Sequence, residues 1–173
     1  MTFSIRTTIR ALAAPEHRIS CPTRLWKWIL EELRRRGQGS HEAGVFLLGC
    51  NDGGRLAVSD AVFYDDLDPR AYDTGVCVLH ADAFGKLWTL CRERQLTVVA
   101  DAHTHGGAAF QSHADRTNPM IARSGHVAII IPNFAGSPVR HESLGMYEYR
   151  GEHKWTNCGG KNAKRFFYVG LWS

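Results

Sequence analysis

His103-Thr-His105, followed after six residues by Ser112-His-Ala-Asp115, is the part of the chain whose residue types and spacing point most directly to chemistry. Two histidines at i and i+2 project from the same side of an extended strand, because side chains alternate faces with a period of two. Thr97-Val-Val-Ala100 just upstream reads as a short buried strand, which puts the pair at or just beyond its C-terminal end. Asp115 falls a few residues into the next predicted helix, where a turn can swing its carboxylate toward the imidazoles. Two neutral nitrogens and one carboxylate leave a fourth position for water, which is the arrangement of a catalytic zinc rather than a structural one.

Ser112-x-x-Asp115 also fits a helix-capping box, with serine at the N-cap and an acid three residues later. The two roles are compatible, since Ser112 can start the helix and still point its hydroxyl into the site. A hydrolytic zinc further needs a base to take a proton from water. No glutamate adjoins the ligands in sequence, so the base has to come from elsewhere. Glu42, immediately before an apolar run, is the best candidate; its competing reading is a solvated acid at a strand start. His17, His41, His80, His113, His126, His141 and His153 read as structural or surface residues.

The elements that must position these groups follow from periodicity and turn signals. Helices are predicted over Thr23 to Arg36, with Leu25, Trp28, Ile29 and Leu33 inward, and over Asp82 to Arg94, with Phe84, Leu87, Trp88 and Cys91 inward. A third, short helix is expected from Ala114 to Arg123. Gly44 to Gly49 reads as a strand buried on both faces, and Leu56 to Tyr64 as its hairpin partner across Asn51-Asp-Gly-Gly54. Further strands are expected at Val127 to Ile131, Gly145 to Tyr149 and Phe166 to Val169, with an acidic loop over Asp65 to Asp73. Strict βα alternation is absent. The fold class is therefore α/β of the α+β kind: a mixed, curved β-sheet flanked by helices in one domain over residues 1–173.

Composition removes several function classes. Hydrophobic residues at 44% and charged residues at 22% are globular values and exclude a disordered chain. The longest apolar run, Val127 to Ile131, is too short to cross a bilayer, and Met1 to Pro15 lacks the apolar core of a signal peptide, so a cytoplasmic protein is expected. The net charge of +4 comes largely from Arg34-Arg-Arg36 and from Lys161, Lys164 and Arg165. The arginine run is explained by a helix C-terminus stopped at Gly37, and no nucleic-acid footprint is implied. Five cysteines without CxxC spacing suggest neither a disulfide framework nor a cysteine metal site; Cys91 is read as core.

Glu42-Ala-Gly-Val-Phe-Leu-Leu-Gly49, His103-Thr-His105 and Ser112-His-Ala-Asp115 together resemble the signature of the JAB/JAMM (MPN-plus) zinc metalloproteases. The order of elements is similar too, and the resemblance spans about residues 20 to 150. It implies an MPN-type, cytidine-deaminase-like fold and one Zn²⁺ per chain on His103, His105 and Asp115, with Glu42 as base and Ser112 as oxyanion donor. It also implies cleavage of isopeptide or peptide bonds after the C-terminal glycine of a ubiquitin-like protein. Two departures stand out: Gly106 replaces a common proline, and the His105-to-Ser112 spacing is one residue shorter than usual. Gly106 and Gly107 are expected to allow the tighter turn through backbone angles closed to other residues.

Compact proteins of this type resemble the deconjugases of bacterial anti-phage operons, of both the CBASS and the Bil kinds. The implied partners are a ubiquitin-like protein and its conjugates, with activating and conjugating enzymes, and neither nucleic acid nor membrane. Asp65, Asp66 and Asp68 are candidates for docking basic residues of a substrate tail, against the plainer reading of a solvated loop. Alternatives are a processing protease for a sulfur-carrier protein and a non-catalytic MPN scaffold. An HExxH site is excluded by Val45, and a nucleobase deaminase by the absence of Pro-Cys-x-x-Cys.

Overall fold

The computed structural model describes residues 17–52, 54–136 and 138–170. Eight strands form a single sheet: β1 (Ile19–Pro22), β2 (Gly44–Asp52), β3 (Arg55–Phe63), β4 (Thr97–Thr104), β5 (Val127–Ile131), β6 (Gly145–Gly151), β7 (Lys154–Asn157) and β8 (Phe167–Gly170). Their order is β7-β6-β5-β4-β2-β3-β1-β8. Pairing is parallel for β4–β5, β1–β3 and β1–β8 and antiparallel elsewhere, so the sheet is mixed, as expected from the irregular alternation of elements. The helices are α1 (Thr23–Arg36), α2 (Tyr64–Leu67), α3 (Ala81–Glu93), α4 (His113–Thr117) and α5 (Ala163–Phe166).

Two apolar clusters explain the layers. On one face, Trp26, Ile29 and Leu33 of α1 pack with Val45, Leu47, Ala102 and Ile129. The other face gathers Phe46, Leu48, Tyr64, Leu87, Cys91 and Val98 beneath α2 and α3. β2 alternates between the two clusters and is buried on both sides, which is why Val45 to Leu48 is an uninterrupted apolar run. The sheet curls around α1: Ile19 and Phe167 from one end share a cluster with Leu144 and Met146 from the other. Arg18, just before β1, makes an ion pair with Glu148 of β6 at 3.1 Å across that curl.

The inward faces of the helices differ from expectation in detail. Trp26 rather than Trp28 fills the α1 seam, because Trp26, Ile29 and Leu33 form the i, i+3, i+7 line; Trp28 is 43% exposed and meets Phe63 edge-on. In α3, Ala83, Leu87 and Cys91 are buried, and Trp88 faces outward. The helix expected from Ala114 to Arg123 ends at Thr117, because Pro119 pushes Asn118 out of the helical region. The expected acidic loop begins as the single turn α2. β1 and β7 were not anticipated: both are four residues long, and β1 exists because partners lie on both sides of it. Among the described residues no helix is long and apolar enough to cross a membrane.

Gly44, the first residue of β2, lies under the ring of Tyr64; a Cβ there would stand 2.1 Å from Tyr64 Cε2. Tyr64 is fully buried and cannot step aside. Gly44→Ala should therefore destabilise the protein by about 1–3 kcal/mol, the usual cost of overpacking. A lower urea midpoint at unchanged slope is the expected reading.

Candidate metal centre

β4 places the histidine pair. His103 lies within the strand opposite Gly44 of β2, and His105 lies one residue past its end, where its N–H donates to the Ile131 carbonyl (2.9 Å). Thr104 between them turns to the other face. Its hydroxyl oxygen accepts the Ala43 N–H at 2.9 Å, while its own N–H donates to the Ala43 carbonyl at 2.9 Å. This pair of bonds fastens residue 43 to the end of β4 and brings the neighbouring Glu42 to the imidazoles: Glu42 Oε1 stands 3.7 Å from His105 Nε2. The Glu42 N–H donates to the Gly75 carbonyl (3.1 Å), and Glu42 Oε2 accepts the Cys77 N–H (3.2 Å). Thr104 and the 75–77 segment have no sequence signal that singles them out.

Asp115 arrives from α4, and the capping box is fully formed. Ser112 Oγ accepts the Asp115 N–H at 3.1 Å, and Asp115 Oδ2 accepts the Ser112 N–H at 2.7 Å. α4 itself buries no residue. The shorter loop still brings the Asp115 carboxylate against both histidines. Gly106 and Gly107 have no left-handed φ, contrary to the expected reason for their presence. Gly106 instead allows a close approach, since a Cβ on it would meet the Phe134 ring at 2.6 Å. Phe134 closes the turn with its N–H on the His105 carbonyl (2.8 Å).

The three side chains converge on one point. His103 Nε2 and His105 Nε2 are 3.0 Å apart, and each is 3.4 Å from an oxygen of Asp115. Tetrahedral ligands bound at about 2.0–2.1 Å are separated from one another by about 3.3 Å, so the spacing suits a zinc-sized ion. The chemistry of the donors agrees: two imidazole nitrogens and a carboxylate face one gap. These residues fit a metal ion.

The electrostatics favour a cation in that gap. Burial resists charging of His103, yet Asp101 and Asp115 outweigh it and lift the imidazole to about 10. Burial likewise opposes ionisation of Asp101, but His103 and His126 hold it at about 2. Asp115 is held well below the usual carboxylate range by both histidines and the Ser112 N–H, against the effect of burial. Asp101 and His126, buried beneath the site and joined at 2.6 Å, were not singled out from the sequence; the alternation Asp101-x-His103 was the available signal.

The acidic segment is engaged inside the protein. Asp65 and Asp66 both bind Arg36 Nη1, whose guanidinium lies 4.1 Å from the Phe63 ring centroid. Asp68 has a side chain only 4% exposed and is bonded to His80 and Arg70.

Asp101 and Asp115 favour the protonated imidazole of His103, so a bound ion must displace that proton. Titration with Zn²⁺ near pH 8, in buffers of differing ionisation enthalpy, should show protons released on binding. Affinity should rise with pH across the neutral range, and acidification should release the metal.

No protein-family profile matches the chain. It is 26% identical over 149 residues to "Probable metalloprotease y4jG" of Sinorhizobium fredii (strain NBRC 101917 / NGR234), an alignment covering 86% of this chain and 87% of that protein. The solution structure of protein DSY2949 from Desulfitobacterium hafniense superposes with a TM-score of 0.62 at 14% identity, over 88% of this chain and 94% of the other, so the two share a fold. The chain is thus a relative of a probable metalloprotease, and it carries a cluster of residues able to hold a metal ion.

Proposed function

We propose that this chain is a zinc-dependent isopeptidase or peptidase of the JAB/JAMM kind, cleaving after the C-terminal glycine of a ubiquitin-like protein. The observation that carries the reading is the free oxygen of Glu42. With Oε2 accepting the Cys77 N–H, Oε1 faces the cluster 3.7 Å from His105 Nε2, on the side where a base would be needed. His103, His105 and Asp115 would hold the ion. Bound there, zinc supplies Lewis acidity, polarising the scissile carbonyl and lowering the pKa of water toward about 7.

The chain's own groups do the rest. Glu42 accepts a proton from the attacking water and delivers it to the leaving amine. Ser112 Oγ accepts from the Asp115 N–H, which leaves its O–H free to donate to the developing oxyanion. A cavity of about 610 Å³ opens beside the 106–111 loop, lined by Phe110, Asn133, Arg140 and Tyr147 among others. It offers backbone and apolar contacts to an extended substrate segment. The complete set of base and ligands argues against a non-catalytic scaffold. A place beside activating and conjugating enzymes in bacterial anti-phage defence is the setting we infer from the likeness to operon-encoded deconjugases.

Glu42→Gln should keep the metal and lower turnover roughly 100- to 10,000-fold; full activity in this variant would remove Glu42 from the chemistry. Ser112→Ala should cost about 1 kcal/mol of stability through the lost cap. It should also cost about 100-fold in turnover if the hydroxyl serves the oxyanion. Unchanged turnover with the stability loss alone would leave only the capping role. Branched conjugates and linear precursors of a ubiquitin-like protein, assayed side by side, distinguish deconjugation from the processing of a sulfur carrier. Cleavage of neither would overturn the proposal.

A further inference from the structure

Asp101 stands two residues before His103, so both side chains leave β4 on the same face. Its carboxylate is buried, and three groups converge on it. His126 Nε2 lies 2.6 Å from Oδ1, the Tyr64 hydroxyl donates to Oδ2 at 3.3 Å, and His103 Nδ1 faces Oδ2 at 4.0 Å. His103 Nε2 points the opposite way, toward His105 and Asp115. Its buried Nδ1 makes no hydrogen bond among the described residues.

An imidazole that gives its Nε2 lone pair to a metal carries its remaining proton on Nδ1, and a buried N–H needs an acceptor. The acceptor facing that proton is Asp101. His126 has a buried Nδ1 that also lacks a partner, so its satisfied tautomer carries the proton on Nε2 and donates it to Asp101. With His126 on Oδ1 and the Tyr64 hydroxyl beside Oδ2, the carboxylate cannot rotate away without stranding both donors. A 4.0 Å gap then closes by a small tilt of the His103 ring toward an acceptor already held in place.

We propose that Asp101, fixed by His126 and Tyr64, is a positioning residue of the metal centre: it accepts the Nδ1 proton of His103 and thereby presents Nε2 to the ion. Partners of this kind set the tautomer and raise the basicity of a ligating histidine. The inference rests on the metal-binding reading of His103, His105 and Asp115 and is independent of any peptidase activity. The competing role is purely architectural: Asp101 and His126 as a buried pair joining β4 to β5.

Long-range ¹H–¹⁵N spectra of the imidazoles in the zinc-loaded wild-type chain separate the two. Positioning requires His103 protonated at Nδ1 and ligated through Nε2, with its Nδ1 proton shifted downfield and protected from exchange. Ligation through Nδ1, or an Nδ1 proton that exchanges freely, would overturn the inference without any variant. Zinc affinity, read by competition with a chromophoric chelator, should weaken roughly 10- to 100-fold in Asp101→Asn. His126→Gln, which offers an amide donor in place of the imidazole, should recover most of the wild-type affinity. A folded Asp101→Asn chain that binds zinc within about twofold of wild type would refute the positioning role. Should the wild type itself fail to bind zinc, the metal reading falls with it; normal binding with an unbonded His103 Nδ1 would sink only the role of Asp101.

Discussion

The antiparallel pairing of β2 with β4, which sets Gly44 opposite His103, is the contact on which the rest of the structure depends. A slip of one residue would exchange the two faces of β2, sending Phe46 and Leu48 into the α1 cluster and Val45 and Leu47 out of it. All four side chains are fully buried, so no such exchange fits without repacking both layers. The two bonds between Ala43 and Thr104 lock the last position of the ladder. Glu42 reaches the imidazoles only because this register is kept.

Acidic residues gather in two places, and their partners decide what each group can do. Asp65 and Asp66 share a permanent cation, the guanidinium of Arg36, so their charge is answered within the fold. Glu42, Asp101 and Asp115 have imidazoles, not guanidinium or ammonium groups, as their titratable basic partners. An imidazole can meet a carboxylate as a charged partner or stay neutral and ligate, and that choice leaves the cluster short of positive charge whenever the rings are neutral. A divalent ion held where the lone pairs meet would answer that shortage. The acid-rich segment most conspicuous in the sequence is thus tied to cations within the fold, while the scattered acids face the histidine cluster.

Elements whose identity depends on their own residues were legible in the sequence. Thr23–Arg36 shows its period and its stop, and Val127–Ile131 is an unbroken apolar run with four β-branched residues in five; both have the expected bounds. The convergence of His103, His105 and Asp115 was legible because the two histidines are local in sequence and Asp115 follows across one loop. What stayed hidden depends on distant pairing. β1 has no pattern of its own and becomes a strand only between β3 and β8. His126 looks like any isolated histidine until the parallel neighbour β5 brings it against Asp101. Trp26 and Trp28 are the same residue type two positions apart, and the buried line through Ile29 and Leu33 selects Trp26.

The short helix α4 has one further implication. It carries the aspartate of the cluster yet contributes nothing to either apolar cluster. Polar ties hold it: its own cap, and the Trp155 indole N–H on the Arg116 carbonyl at 3.1 Å. A turn without a hydrophobic foothold would gain much of its order from an ion held by Asp115, so at this corner of the molecule metal uptake and local folding would be a single coupled equilibrium.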